Sequence, residues 1–388
     1  MRLDLRRRGA GAVEAVMLTR SEECRQKREA VVRYLEAHDL EGVVLSRRPN
    51  FAWFTCGGLH HVSTATEVGA ASLLVTPRRS VCIANNIEAP RLAAEELAGL
   101  GIEVCSFDWW DEAAAKRVWS EELGALQVAC DAPVSAAGGR LRPLPADFDL
   151  LRRRLNEAEI ARYRRLAPEV AAVVETACRQ VRPGMTEHEL AARMAAGLRA
   201  RGIRAPVILA ANEERVRRFR HPLPTQAVFS RYGMGAVCAE REGLYVSVTR
   251  LFSFGPVDEA LRRRHEAVCK VDAAMMAATV AGAMLGDVFT ACQRAYAEAG
   301  FPDEWKHHHQ GGQVGYLPRE TRATPGCAIP VSAGQAFGWN PTIAGTKSED
   351  TILVSADRTE ILSATGDWPT RPYCVAGLTF ARNEILEL

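Results

Sequence analysis

The 388-residue sequence has no surplus of charge of one sign, no long apolar run and no paired-cysteine motif. Each absence removes a class of function. The formal net charge is +2, so overall balance implies neither a nucleic-acid partner nor a membrane surface. The longest apolar stretches, such as residues 273–285, fall short of the roughly 20 residues that span hydrocarbon. Eleven cysteines lie between Cys24 and Cys374 without a single C-x-x-C, which argues against a zinc ribbon and a disulfide framework in a chain this long. Reduced thiols and a cytoplasmic setting are the expectation. The first 20 residues are basic but carry no apolar block ahead of a small-residue cleavage site, and Asp4 and Glu14 dilute a transit-peptide pattern. Residues 1–20 read as a tail. Neither an internal repeat nor a low-complexity linker is evident.

What is present is an ordinary globular composition, with 47% hydrophobic and 25% charged residues. At roughly 150 residues per domain, two domains are expected. Residues 21–40 carry helical spacing after an acidic first turn. "GVVLS" (42–46), "ASLLVTP" (71–77), "SVCIANN" (80–86) and "GIEVCSF" (101–107) read as strands, with a helix over 87–100. This alternation predicts an N-terminal α/β domain over 21–148. A long amphipathic helix over 149–181 marks the change. Then come a Pro-Gly turn and a helix capped by Thr186 with Glu189 three residues on. Strand-rich segments from residue 207 flank a helical interval at 257–300, so the second domain, 149–388, and the chain as a whole are α+β.

Five segments in order are similar to one family. They are "GVVLSRRPNFAWFTCGG" (42–58), "RRRLNEAEIARYRRLA" (152–167), "VRPGMTEHEL" (181–190), "GLYVSVTRLF" (243–252) and "GTKSEDTILV" (345–354). The chain resembles the creatinase, prolidase and aminopeptidase P superfamily, whose catalytic domain has the pita-bread fold. Most members hold two metal ions with two Asp, one His and two Glu. The resemblance puts those positions at Ala236, Ser247, Gly312, Asn340 and Glu349, and only Glu349 keeps a ligand type. Paired divalent ions need several carboxylates to offset their repulsion. A dimetal peptidase site is therefore not expected, and neither a metal nor a cofactor is assigned. Creatinase and ectoine hydrolase, similar members, open C–N bonds in small polar compounds without metal. A metal-independent C–N hydrolase is the leading expectation. The alternatives are a metallopeptidase of the Xaa-Pro dipeptidase type with a rearranged metal site, and a non-catalytic pseudoenzyme that binds a peptide or partner, as histone-chaperone relatives do.

The resemblance also orders the candidate residues. His221 in "FRHPLPT" matches the catalytic-pocket His and suits proton shuttling near neutral pH; the alternative is a surface-loop histidine. His308, in the run His307–His309, is the preferred second catalytic residue. In an extended segment His307 and His309 would share one face and His308 the other. A single-metal site using these histidines and Glu349 is also chemically possible. Glu349 is the third catalytic candidate, orienting water or acting as a base if burial raises its pKa. The alternative is an ion pair with Lys347 or Arg250. His309, Asn340, Arg250 and Lys347 are candidate substrate-binding groups, with Tyr316 and Trp339 as a cavity floor beside Phe337. Gly311 and Gly312 would bring backbone N–H groups close to an oxyanion, or simply form a turn. Cys238 and Cys327 read as structural. Members of this build are homodimers in which one subunit's N-terminal domain closes the other's site, so His60 and His61 would reach the neighbour. The expected ligand is a small polar substrate, with no nucleic acid and no membrane.

Overall fold

A computed structural model describes residues 18–388. Most of the expected tail, residues 1–20, lies outside the described residues. Thr19 opens the first helix: its hydroxyl accepts from the Glu22 N–H while the Glu22 carboxylate accepts from the Thr19 N–H, a capping box. That helix is α1 (Arg20–Ala37), followed by β1 (Gly42–Arg47), α2 (Arg48–Phe54), β2 (Val68–Val75) and β3 (Ser80–Asn85). The helix expected over 87–100 shrinks to α3 (Ala89–Arg91) and one π-helical turn over Leu92–Glu96, after which Gly99 and Gly101 take left-handed backbone conformations. The domain ends with β4 (Glu103–Phe107), α4 (Glu112–Leu123), β5 (Val128–Cys130) and β6 (Arg142–Pro143). Its strands form one mixed sheet in the order β4-β3-β2-β1-β5-β6.

The long helix expected over 149–181 is broken. α5 (Leu150–Arg153) stops, and Asn156 starts α6 (Glu157–Arg179) through a second capping box with Glu159. Thr186 and Glu189 close the expected third box at α7 (Glu187–Arg199). Next come β7 (Arg204–Asn212), α8 (Glu213–Arg218), β8 (Tyr232–Arg241), β9 (Leu244–Ser253), α9 (Glu259–Ala278) and α10 (Leu285–Glu298). The remaining strands are β10 (Gly311–Val314), β11 (Thr321–Arg322), β12 (Gln335–Trp339), β13 (Thr342–Ile343), β14 (Thr346–Lys347), β15 (Asp350–Val354), β16 (Thr359–Ile361), β17 (Thr370–Val375), β18 (Leu378–Asn383) and β19 (Leu386–Glu387).

Two sheets carry the site. One runs β19-β9-β8-β7 and the other β11-β10-β12-β15-β16. They meet where Ser247 N–H donates to Thr351 Oγ1 and Thr249 N–H donates to the Glu349 carbonyl. Period-two alternation sorts the side chains. On β9, Val246 and Val248 enter the core shared with α6, whereas Ser247 and Thr249 face the other way, opposite Cys238 and Ala236 of β8.

Candidate active site

The non-core face of β8 and β9 forms one wall of a cavity of about 380 Å³. Ala236, Ser247, Asn340 and Glu349 all line it, so four of the five positions at which the resemblance places metal ligands converge here. Three of them carry no charge. Gly312 stays outside, in the sheet itself.

Glu349 is buried and committed. Its Oε2 lies 2.7 Å from Lys347 Nζ and accepts from Thr249 Oγ1 at 2.6 Å, while Arg319 stands 3.8 Å from Oε1. Burial alone would push its pKa up, but Lys347 and then Arg319 outweigh it and hold the carboxyl below its ordinary value. Glu349 is therefore a fixed anion, and a raised-pKa base is not what this environment makes.

The histidines come from two loops. His221 follows α8; His308 and His309 follow a 3-10 turn over Glu304–His307. Arg220 pairs with Glu304 at 2.5 Å and ties the two loops together. Gln310, fully buried, accepts from Tyr296 Oη at 2.8 Å and donates to the Trp305 carbonyl at 3.2 Å, which anchors the histidine turn from behind. His308 Nε2 then lies 3.0 Å from His221 Nε2, and the His308 and His309 ring centroids are 4.5 Å apart. The extended-strand expectation thus gives way: His308 and His309 both point towards His221, and exposed His307 points away, because the turn ends only at His307. Burial, then Lys347, lowers the His221 pKa. Burial, then Arg319, takes His309 down to about 4, and His308 is pushed further down by burial and Lys347. At neutral pH these are uncharged imidazoles, able to accept a proton or to ligate an ion. Ring nitrogens of His221, His308 and His309 all lie within 4.8 Å of one another.

Six of the expected residues therefore gather: His221, His308, His309, Asn340, Lys347 and Glu349. The others do not. Arg250 is buried behind the wall, bonded to Glu175 at 2.8 Å and Asp350 at 3.1 Å. Trp339 lies in the core, stacked on Phe337, with Nε1 donating to Thr279 Oγ1 at 3.0 Å. Gly311 and Gly312 are central ladder residues; a Cβ on either would stand 2.1 Å from the Gly338 carbonyl or 2.0 Å from that of Thr321. Close strand approach, and neither a turn nor a substrate, accounts for these glycines. Tyr316 and His61 line a different cavity of about 530 Å³ between the domains, where Tyr316 donates to Glu159 and His61 faces Arg204 at 2.7 Å. His60 cannot reach a neighbour, being buried against Phe51 and 2.9 Å from the Ser46 carbonyl. Sequence reasoning missed Arg319 and Arg322, both on the cavity wall. The basic spacing in "LPRETR", directly after the histidine–glycine stretch, was the available signal.

Residues 161–356, half of the chain, match the profile of metallopeptidase family M24. The chain belongs to that family and so to the peptidase-type hydrolases, within the creatinase, prolidase and aminopeptidase P superfamily. Among solved structures it is similar to the Xaa-Pro dipeptidase from Bacillus anthracis, with 16% identity, 94% of this chain and 100% of that one covered, and a TM-score of 0.72. The dipeptidase PepE from Mycobacterium ulcerans is 18% identical over 90% of this chain and 97% of its own, with a TM-score of 0.72. The N-terminal domain of the FACT subunit SPT16 from Cicer arietinum is 12% identical over 89% and 95%, with a TM-score of 0.67. At these identities the likeness is one of fold, and it joins an N-terminal domain to a pita-bread domain. No curated protein matches the chain.

Proposed function

We propose that the chain is a metal-independent hydrolase that opens a C–N bond, of the amide, amidine or cyclic amidine type, in a small anionic substrate. One observation carries this reading. Among the described residues, Glu349 is the only carboxylate lining the cavity, and Lys347, Thr249 and Arg319 already take up its charge. Two divalent ions about 4 Å apart need anionic ligands between and around them. This cavity instead adds Arg319, Arg322 and Lys347 to that single anion, a balance of two positive charges. It is built to take an anion.

The roles follow from position. Arg319 and Arg322 hold an anionic group of the substrate, as planar guanidinium forks do well. Asn340 Oδ1, buried without a partner, accepts from a substrate N–H. His221, with His308 at its back, takes a proton from water as the oxygen attacks carbon. Lys347 and Arg319 stabilise the oxyanion. The same proton passes to the departing nitrogen, and the C–N bond breaks. Two copies of the chain and a cytoplasmic setting belong to this reading; among the described residues no helix is long and apolar enough to cross a membrane.

The test is turnover of amidines, cyclic amidines, ureas and blocked dipeptides by exhaustively chelated protein. Activity that survives chelation is expected. Activity that disappears on chelation and returns with manganese rejects the metal-free mechanism.

A further inference from the structure

The three imidazoles have a second chemical capacity. Each offers one ring nitrogen, and these nitrogens lie within 4.8 Å of one another. His221 Nε2 and His308 Nε2 are 3.0 Å apart, close to the separation of about 3.3 Å for two nitrogens bound at about 2.0–2.1 Å to one tetrahedral ion. The arrangement is held by contacts that owe nothing to a ligand: Arg220 to Glu304, and Gln310 to Tyr296 and Trp305. The Nδ1 atoms of His308 and His309 are buried and bonded to nothing, so neither ring is tied to one orientation.

The donor set decides the ion. Three neutral nitrogens without an oxygen ligand suit zinc or copper and are poor for magnesium, calcium or manganese, which prefer oxygen. Arg319 and Lys347 nearby disfavour any cation. They leave only ions whose affinity for imidazole is high, and they favour an anion at the fourth position. The usual outer support, a carboxylate or carbonyl on the far ring nitrogen, is missing for His308, whose Nε2 faces His221 and whose Nδ1 is bonded to nothing. The site is therefore a modest one, suited to reversible occupancy.

We infer that His221, His308 and His309 form a binding site for one zinc-class divalent ion, and that its occupancy switches hydrolysis off by taking the nitrogens that carry the proton. The inhibitory half rests on the function proposed above; the binding half does not.

Chelated full-length protein is titrated with zinc chloride in competition with a chromophoric chelator. One zinc per chain is expected. Loss of an outer partner alone weakens a metal site by roughly 10- to 100-fold, so His308→Ala and His309→Ala should each weaken binding by more than about tenfold. His307→Ala, at the exposed neighbour outside the cluster, should leave it unchanged. His221→Asn, on an exposed loop, gives the same loss without disturbing buried packing, and circular dichroism confirms that each variant is folded. Binding that is absent, or that survives all three cluster substitutions, overturns the site. Turnover of the substrate found by the chelated assay is then followed as zinc is added. Loss of turnover at one equivalent supports both halves. A rise in turnover keeps the site and rejects zinc inhibition. Unchanged turnover with zinc bound overturns the inhibitory half alone.

Discussion

Replacing Lys347 with Met tests the claim that Glu349 has no charge to spare. The ammonium lies 2.7 Å from Glu349 Oε2, and the two side chains are only 4% and 6% exposed. At an effective dielectric of about 20 the bare attraction is about 6 kcal/mol, and much of that offsets the burial of the two ions. Removing one partner of such a pair usually destabilises by about 3–5 kcal/mol. Here a proton limits the loss. Without Lys347, burial dominates and the folded-state pKa of Glu349 rises above its unfolded value of about 4.3. Protonating it at pH 7 costs about 1.36 × 2.7, or about 3.7 kcal/mol, and at pH 5 only about 1 kcal/mol. Arg319, 3.8 Å away, trims both figures. In the native chain the sign is opposite: the pKa of Glu349 is lowered, so its contribution is present above the unfolded pKa and lost as pH falls through the folded one. Urea unfolding at pH 7 and pH 5 should therefore show a Lys347→Met deficit of about 3 kcal/mol that shrinks to about 1 kcal/mol. Lys347→Met with Glu349→Gln should lose at least about 2 kcal/mol less than the sum of the single changes. A deficit equal at both pH values, or additive effects, would refute the reasoning and with it the charge argument against paired metal ions.

Two further outcomes follow from buried groups. His265 is buried, with Nε2 donating to the Asn383 carbonyl at 2.8 Å and Nδ1 2.8 Å from Thr346 Oγ1, and burial takes its pKa down to about 4. A depressed histidine stabilises the fold above its unfolded value of about 6.5 and loses that as pH falls towards 4, so wild type should lose about 2 kcal/mol more between pH 6.5 and pH 5 than His265→Gln; parallel unfolding curves for the two would contradict this. Gly312→Ala places a Cβ 2.0 Å from the Thr321 carbonyl in a strand paired on both sides, and should lower stability by more than about 3 kcal/mol or prevent folding. A melting temperature within a few degrees of wild type would show that the ladder can open there.

Much of the fold was readable because it rests on local rules. Thr186 with Glu189 announces α7 through capping, and the apolar runs of β1 to β4 announce a sheet. The site was readable only through resemblance, since His221, from the loop after α8, meets Asn340 and Glu349, beside β12 and β15, through packing that no spacing encodes. Some errors were avoidable. Side chains alternate along a strand, so Asn340 in the cavity puts Trp339 behind it, and Thr249 on Glu349 puts Arg250 on the reverse. Lys347 and Glu349 share a parity and a cavity; Ser348 and Asp350 share the other and meet Asp272 and Arg382. Arg319, just before β11, and the two inward histidines sit where no period operates, and only three-dimensional packing places them.

That alternation also explains how Ala236, Ser247 and Asn340 can stand where the resemblance places metal ligands while the fold is kept. Behind the wall, Glu175, Arg250, Asp350, Arg382 and Asp272 form a chain of buried ion pairs joining α6, β9, β15, β18 and α9. Burial pushes Asp272 up to about 6, which still leaves it mostly ionised at neutral pH, so that chain keeps an excess of one anion. In front of the wall, the cavity carries the opposite excess. The rear charges hold elements together, so replacing one removes a structural tie. The front charges touch cavity space, and Ala236, Ser247 and Asn340 could arise there without disturbing a single rear pair. Neighbouring residues on β9 and in the 347–350 segment thus serve the fold in one direction and the chemistry in the other, which lets the electrostatics of the cavity change sign inside an unchanged pita-bread frame.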